Sequence, residues 1–358
     1  ISETVICVLM IRRPPRSPLF PYATLFRSSL RGVVEAAASL QVGPTTDPAT
    51  MFGPLVAPAS GKLLDALTVL APGEEWLLEP RCLDDEGRTW TPGIKAGVRP
   101  GSQFHRTEYF GPVLGLMATD TLEEAIDVQN AVDYGLTGGI HSLDPVEVDA
   151  WLERVEVGNA YVNRAITGAI VQRQPFGGWK RSSVGAGAKA GGPDYLLQLG
   201  TWTPTRDLSE VDQTELAIAD DGWWEGRYGI SQDPAGLFCE ANVLRYLPFS
   251  DLIVRVGPGA TQAEVDRVLA AATRCGVVPR ISRAIDDDDA TFAGTLSAHR
   301  FGRIRAVGFV SELIRRAAIA AEVDLVDEAV TVSGRLELRH HLREQAVSRT
   351  LDQKTAHV

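Results

Sequence analysis

Between residues 112 and 155 the chain alternates apolar strands and amphipathic helices with little sequence between them. Residues 112–118 form a continuous apolar run, 122–132 carry apolar side chains at helical spacing, 138–142 read as a strand and 146–155 as a second helix. A strand–helix–strand unit of this kind returns the chain to the same edge of a sheet. The neighbouring strands are then parallel and buried on both faces. Upstream, the patterning predicts helices over 30–40 and 61–71 and strands over 76–79 and 89–98, with a turn at 84–87. The alternation resumes with strands at 241–246 and 252–256, a helix at 262–273, a strand around 277–281 and another at 303–308. A helix at 312–321 and a strand at 323–326 follow. The expected fold class is α/β: a parallel sheet with flanking helices, followed by a smaller α/β unit.

A net charge of -11 excludes nucleic acid and anionic membrane surfaces as expected partners. The chain has no long uncharged apolar run that would span a bilayer. Its four cysteines, Cys7, Cys82, Cys239 and Cys275, show neither metal-ligand spacing nor a disulfide framework, which suits a reducing cytoplasm. The first 28 residues differ from the rest, with four Arg, four Pro, one acid and no periodicity. They resemble a translated sequencing adapter and are expected to carry no fold.

The stretch 159–192, NAYVNRAITGAIVQRQPFGGWKRSSVGAGAKAGG, is the candidate site. A strand at 160–163 opens into a loop where Gly168 and Ala169 leave the main chain nearly bare, and Pro175, Phe176, Gly177 and Gly178 follow. Bare amides beside one large aromatic suit a small anion such as a carboxylate, with Phe176 as an apolar wall. The same composition also describes a glycine-rich surface loop anchored by one Phe. Upstream stands Thr107-Glu108-Tyr109-Phe110-Gly111-Pro112-Val113, followed by LGLMATDTLEEAIDVQNAVDYGLTGGIHS.

Together these segments resemble the C-terminal half of the aldehyde dehydrogenase superfamily, whose E-x-F-G-P-V segment, E-E-A-I helix, N-x-x-x-Y-G-L turn and P-F-G-G loop occur in this order. Val42, Gly43, Asp47, Pro48, Thr50, Gly53, Pro54 and Leu55 match the family's V-G-x-x-x-D-P-x-T-x-x-G-P-L segment. The T-G-A-I-V-x-x-Q-P-F-G-G form of the loop resembles the L-glutamate γ-semialdehyde (Δ1-pyrroline-5-carboxylate) dehydrogenases. Residues 240–248 and 333–350 resemble the C-terminal extension of bifunctional proline-utilisation enzymes, which carry a proline dehydrogenase upstream. The final eight residues, LDQKTAHV, depart from that family's basic, aromatic ending.

The resemblance implies that Glu108 accepts from ribose hydroxyls on the nicotinamide side of NAD and that Phe110 packs beside the nicotinamide. Outside this context Glu108 reads as an exposed acid at a strand start. Gly168 and Ala169 would donate backbone N–H groups to the substrate α-carboxylate, and Phe176 would flank the chain bearing the aldehyde. FAD is implied for the proline dehydrogenase part alone, and the parent enzyme would be a homo-oligomer acting on a small molecule. The family's nucleophile lies in a G-Q-x-C-S context, which none of the four cysteines has, so no catalytic residue is assigned and the chain by itself is expected to be inactive.

The resulting division is an adapter-derived 1–28, a partial catalytic domain with oligomerisation strands at 29–203, a linker at 204–239, a smaller α/β domain at 240–332 and a closing segment at 333–358. The acidic run 286–289 reads as a solvated loop rather than a metal site, and residues 185–191 as a turn rather than a dinucleotide loop. His340 and His341, adjacent on an expected helix, would diverge by about 100°, poor geometry for one metal, and read as surface or interface residues. A non-catalytic scaffold or oligomerisation protein that kept this fold is the alternative function.

Overall fold

A computed structural model describes residues 22–166, 170, 173–183, 185 and 187–351. It divides into two compact units, one of residues up to Asp133 with Leu143–Val155, the other of Tyr134–Ser142 with the chain from Glu156 onward.

The first unit opens with helix α1 (Tyr22–Ala38) and helix α2 (Gly61–Thr68). The helix α1 starts inside the segment expected to carry no fold. Residues 22–28 contain no proline, so helical structure can propagate back as far as Pro21. Strand β1 (Glu75–Leu78) pairs antiparallel with β2 (Gly93–Ala96). The short helix α3 (Gln103–Arg106) leads into β3 (Val113–Gly115), which lies parallel to β2. Ser102 caps α3 by accepting from the His105 N–H. Helices α4 (Leu122–Asn130) and α5 (Pro145–Arg154) begin at Thr121 and Asp144, whose side chains accept first-turn amides. They are joined by the buried Trp151, whose indole N–H donates to Gln129 Oε1 at 2.8 Å.

The second unit contains two four-stranded sheets and a small ribbon. The ribbon pairs β4 (Tyr134–Gly135) with β7 (Trp179–Lys180). One sheet has the order β5-β6-β13-β8, with β5 (Thr137–Ile140), β6 (Asn159–Val162), β8 (Glu240–Pro248) and β13 (Leu342–Thr350). The strand β13 runs parallel to β6 on one side and antiparallel to β8 on the other. Residues of the closing segment and of the start of the smaller α/β domain thus share a sheet with the strand that opens the candidate loop.

The other sheet is fully parallel, in the order β10-β9-β11-β12, from β9 (Leu252–Val256), β10 (Arg280–Arg283), β11 (Arg303–Val307) and β12 (Asp324–Val326). Alternate residues face opposite layers. Val254 and Val307 join a core with α7 (Gln262–Arg274), while Ile253 and Ile304 pack with α8 (Asp289–Thr295) and α9 (Glu312–Ala321). The helix α7 starts with a reciprocal capping box, Thr261 with Glu264.

The segment 204–239 differs from the expected linker. It contains α6 (Gln213–Trp223), capped by Asp212 and continuing through a π-turn over Trp224–Tyr228. Its buried face consists of Leu216 and Asp220, and Asp220 meets the fully buried Arg267 of α7 through two bonds of 2.7 and 2.8 Å. A helix that buries a charge has no apolar stripe for sequence periodicity to reveal. The acidic run also has structural work: Asp288 caps α8, and Asp289 pairs with the buried Arg255 at 2.8 Å.

His340 and His341 are buried, contrary to their expected place at a surface. The helix α10 (Gly334–Arg339) ends just before them, and His340 is its C-cap where the chain turns into β13. Burial holds both imidazoles below the ordinary histidine range, with the Arg305 guanidinium adding to the effect.

Candidate functional site

In the first unit, residues 107–113 form an irregular passage between α3 and β3. Tyr109 points inward, stacking on Phe104 at 4.9 Å. Phe110 takes φ 54, a left-handed value unusual for a non-glycine residue, and its side chain stands 52% exposed. Gly111 follows so closely on α2 that a Cβ there would lie 2.3 Å from Leu63 Cδ1. Tyr109 anchors one end and Gly111 fits the other, so the backbone turns Phe110 outward. Glu108 is half-buried and has no hydrogen-bond partner among the described residues. An uncommitted carboxylate beside a presented aromatic fits a diol-bearing ring system.

This passage rests on a buried cation. Lys95 of β2 donates to the Val69 carbonyl at 2.6 Å and pairs with Glu74 at 3.4 Å, and it lies 4.9 Å and 4.8 Å from the centroids of Trp76 and Phe104. Burial lowers its pKa from the ordinary lysine value. Phe104 therefore bridges this cation and Tyr109, the residue immediately before the outward-facing Phe110.

In the second unit, Phe176 forms an isolated bridge with Ala190, its N–H donating at 3.0 Å and its carbonyl accepting at 2.9 Å. The Gly177 carbonyl then accepts from Asn159 Nδ2 at 3.1 Å and from Lys189 Nζ. A Cβ on Gly158 would stand 2.0 Å from that same oxygen, so β6 and the loop touch through bare backbone. Strand β13 holds the rest. Gln174 donates to Ser348 Oγ at 2.9 Å, the Trp179 indole to the Glu344 carbonyl at 2.8 Å, and the Lys189 N–H to Glu344 Oε2 at 2.9 Å. Burial pushes the Lys189 ammonium down to about 7 and the Glu344 carboxyl up to about 7, with Asp194 adding to the rise.

Glu108 and Phe110 lie together in the first unit and Phe176 lies in the second. Gly168 and Ala169 fall outside the described residues. The loop's supports were absent from the sequence-based site: Lys189, Glu344 and Glu240, which pairs with Arg164 at 2.5 Å and Arg173 at 2.8 Å. The partners are 67 to 155 residues apart, beyond any local motif. One available signal was a lysine among the small residues of 185–191. Cys275 is buried and its thiol pushed up by burial, whereas Cys82 and Cys239 are exposed.

The model of the aldehyde dehydrogenase family matches residues 23–201. The chain belongs to the aldehyde dehydrogenase family. Among its family relatives, it is 35% identical over 169 residues to the 1-pyrroline-5-carboxylate dehydrogenase of Geobacillus sp., covering 47% of this chain and 32% of that one. The Bacillus subtilis protein of the same name is 36% identical over 170 residues, covering 46% and 33%. The solved structure of Proline Utilization A (PutA) from Corynebacterium freiburgense matches with a TM-score of 0.78 and 44% identity, over 90% of this chain and 34% of that chain. The chain thus spans about a third of the length of these relatives. No helix among the described residues is long and apolar enough to cross a membrane.

Proposed function

We propose that this chain forms the cofactor-facing and substrate-carboxylate walls of an NAD-dependent dehydrogenase that oxidises L-glutamate γ-semialdehyde to L-glutamate in proline catabolism. The observation that carries this reading is the likeness to PutA over 90% of this chain at 44% identity. The 1-pyrroline-5-carboxylate dehydrogenase relatives support the same substrate.

Glu108 accepts hydrogen bonds from the ribose diol, and with no hydrogen-bond partner among the described residues both its oxygens are available for that purpose. Phe110, turned outward by its left-handed backbone, packs beside the nicotinamide. Bound NAD supplies the hydride acceptor. Gly168 and Ala169 donate amide N–H groups to the substrate α-carboxylate, and Phe176 flanks its aliphatic chain. Generic aldehydes lack that carboxylate, so these donors favour the semialdehyde.

The attacking thiolate comes from outside this chain, because none of its cysteines stands in a G-Q-x-C-S context. FAD belongs to a proline dehydrogenase part on the same parent polypeptide, and the parent is a cytoplasmic homo-oligomer. The test is Phe176→Ala in an enzyme that joins this chain to the thiol-bearing half. The expected result is about a 10-fold loss of kcat/KM for the semialdehyde with little change for acetaldehyde, as when an apolar wall contributes one to two kcal/mol. An unchanged kcat/KM for the semialdehyde removes Phe176 from the site.

A further inference from the structure

Within the second unit, Trp179 of β7, Phe249 after β8 and Arg343 of β13 line a cavity of about 410 Å³. The Arg343 guanidinium lies over the Trp179 ring at 4.3 Å and the Phe249 ring at 5.3 Å, and Arg303 covers Phe249 at 4.1 Å. Guanidinium groups and rings therefore alternate along one wall.

The acids on the walls are already committed. Glu156 pairs with Lys180 at 2.6 Å, and Asp324 with Arg303 at 2.6 Å. Glu322 holds both Arg181 and Arg300, and Asp251 faces His299 Nδ1 at 3.0 Å. Arg343 alone among the wall's guanidinium groups has neither an ion-pair nor a hydrogen-bond partner among the described residues, and its Nε is buried without one. Burial lowers its pKa; the Glu156 charge on the same wall opposes that shift and the neighbouring Arg303 charge adds to it. A guanidinium carries five donors in a planar fork, and the half-buried Arg343 lines the cavity with those donors uncommitted among the described residues, so a ligand of matching geometry can take them up.

We propose that this cavity binds a small organic carboxylate, with Arg343 as its bidentate receptor and Trp179 and Phe249 as apolar walls against its carbon chain. A guanidinium matches the planar geometry of a carboxylate, and the two rings give a short hydrocarbon chain somewhere to lie. The volume falls in the range of small-molecule sites, about 300–1,000 Å³. Trp179 also donates its indole N–H to the Glu344 carbonyl, so a bound acid braces the junction between β13 and the loop.

The test is isothermal titration calorimetry of the full chain with glutarate, and with inorganic phosphate as a second probe. Saturable glutarate binding is expected. Arg343→Met should weaken it by about 10-fold or more, with far-UV circular dichroism unchanged, and Arg343→Lys should weaken it less because it keeps the charge and loses the fork. Should the Met variant not fold, the Lys variant and the unmodified chain decide. Absence of saturable glutarate binding, an unchanged affinity in a folded Arg343 variant, or phosphate binding as tight as glutarate would overturn the proposal.

Discussion

Replacing Glu337 by alanine is expected to destabilise the second unit more than any surface substitution. Arg305 and Glu337 both have fully buried side chains, and the guanidinium meets the carboxylate through two bonds of 2.8 Å, from Nε and from one terminal nitrogen. The other terminal nitrogen of Arg305 donates to the Ala306 and Glu328 carbonyls. Alanine leaves the buried guanidinium charged without its paired carboxylate, with only the weaker pull of Glu328 and Asp327 still acting on it. Breaking a buried pair from one side costs about 3–5 kcal/mol. In a domain of this size about 1 kcal/mol shifts Tm by about 2–4 °C, so the melting point should fall by roughly 6–20 °C.

The pH dependence adds a second signature. Burial alone would raise the Glu337 carboxyl, but the Arg305 charge and its hydrogen bonds hold it well below the ordinary value of 4.5. A folded pKa depressed in this way gives stability that is present above the ordinary value and lost as pH falls through the folded one. The gap between the unmodified chain and Glu337→Ala must therefore narrow in acid. Urea unfolding followed by circular dichroism, at neutral pH and near the acid limit of folding, measures both effects. A neutral-pH loss below about 1 kcal/mol, or a gap that persists in acid, refutes the reasoning. The double variant Arg305→Met/Glu337→Leu should recover most of the loss, because an apolar pair of similar volume removes both desolvation penalties.

The remaining predictions concern the supports of the loop and the neglected helix. Glu344→Gln imitates the protonated acid. A carboxyl raised to about 7 contributes stability below its ordinary value of 4.5 and loses it as pH rises through 7, so the variant should match the unmodified chain in mild acid and exceed it in base. The expected gain is at most about 3.5 kcal/mol, from about 1.4 kcal/mol per pKa unit, and an equal urea midpoint in base contradicts it. Gly158→Ala forces a methyl against the Gly177 carbonyl and should cost about 1–3 kcal/mol, read as a lower melting point; an unchanged melting point means the loop moves freely. Asp220→Ala should expose α6 to proteolysis, whereas Glu215→Ala, which removes an exposed partner of Arg206, should not.

The parallel β5–α5–β6 unit was legible because its elements advertise themselves, but β3, expected in the same sheet as β5, lies in the sheet β1-β2-β3 instead. The helix α9 matches its sequence reading at both ends, since Ser311 marks the start and apolar residues recur at helical spacing through it. The elements that were missed bury polar groups. The helix α6 turns Asp220 inward toward an arginine 47 residues away, and His340 and His341, read as surface or interface residues, are buried where a helix ends. At the site the outward ring of Phe110 depends on a backbone conformation no composition reveals, and the hold on the P-F-G-G loop depends on Glu344, 155 residues from Lys189. Local pattern nominates residues to face a ligand. It does not identify what holds them there.

The central claim is that this chain carries the binding walls of a dehydrogenase site and not its nucleophile. NADH formation by the purified chain, supplied with NAD and L-glutamate γ-semialdehyde, tests it most directly. No NADH above the enzyme-free rate is expected, and sustained turnover abolished by replacing Cys7, Cys82, Cys239 or Cys275 would overturn the claim.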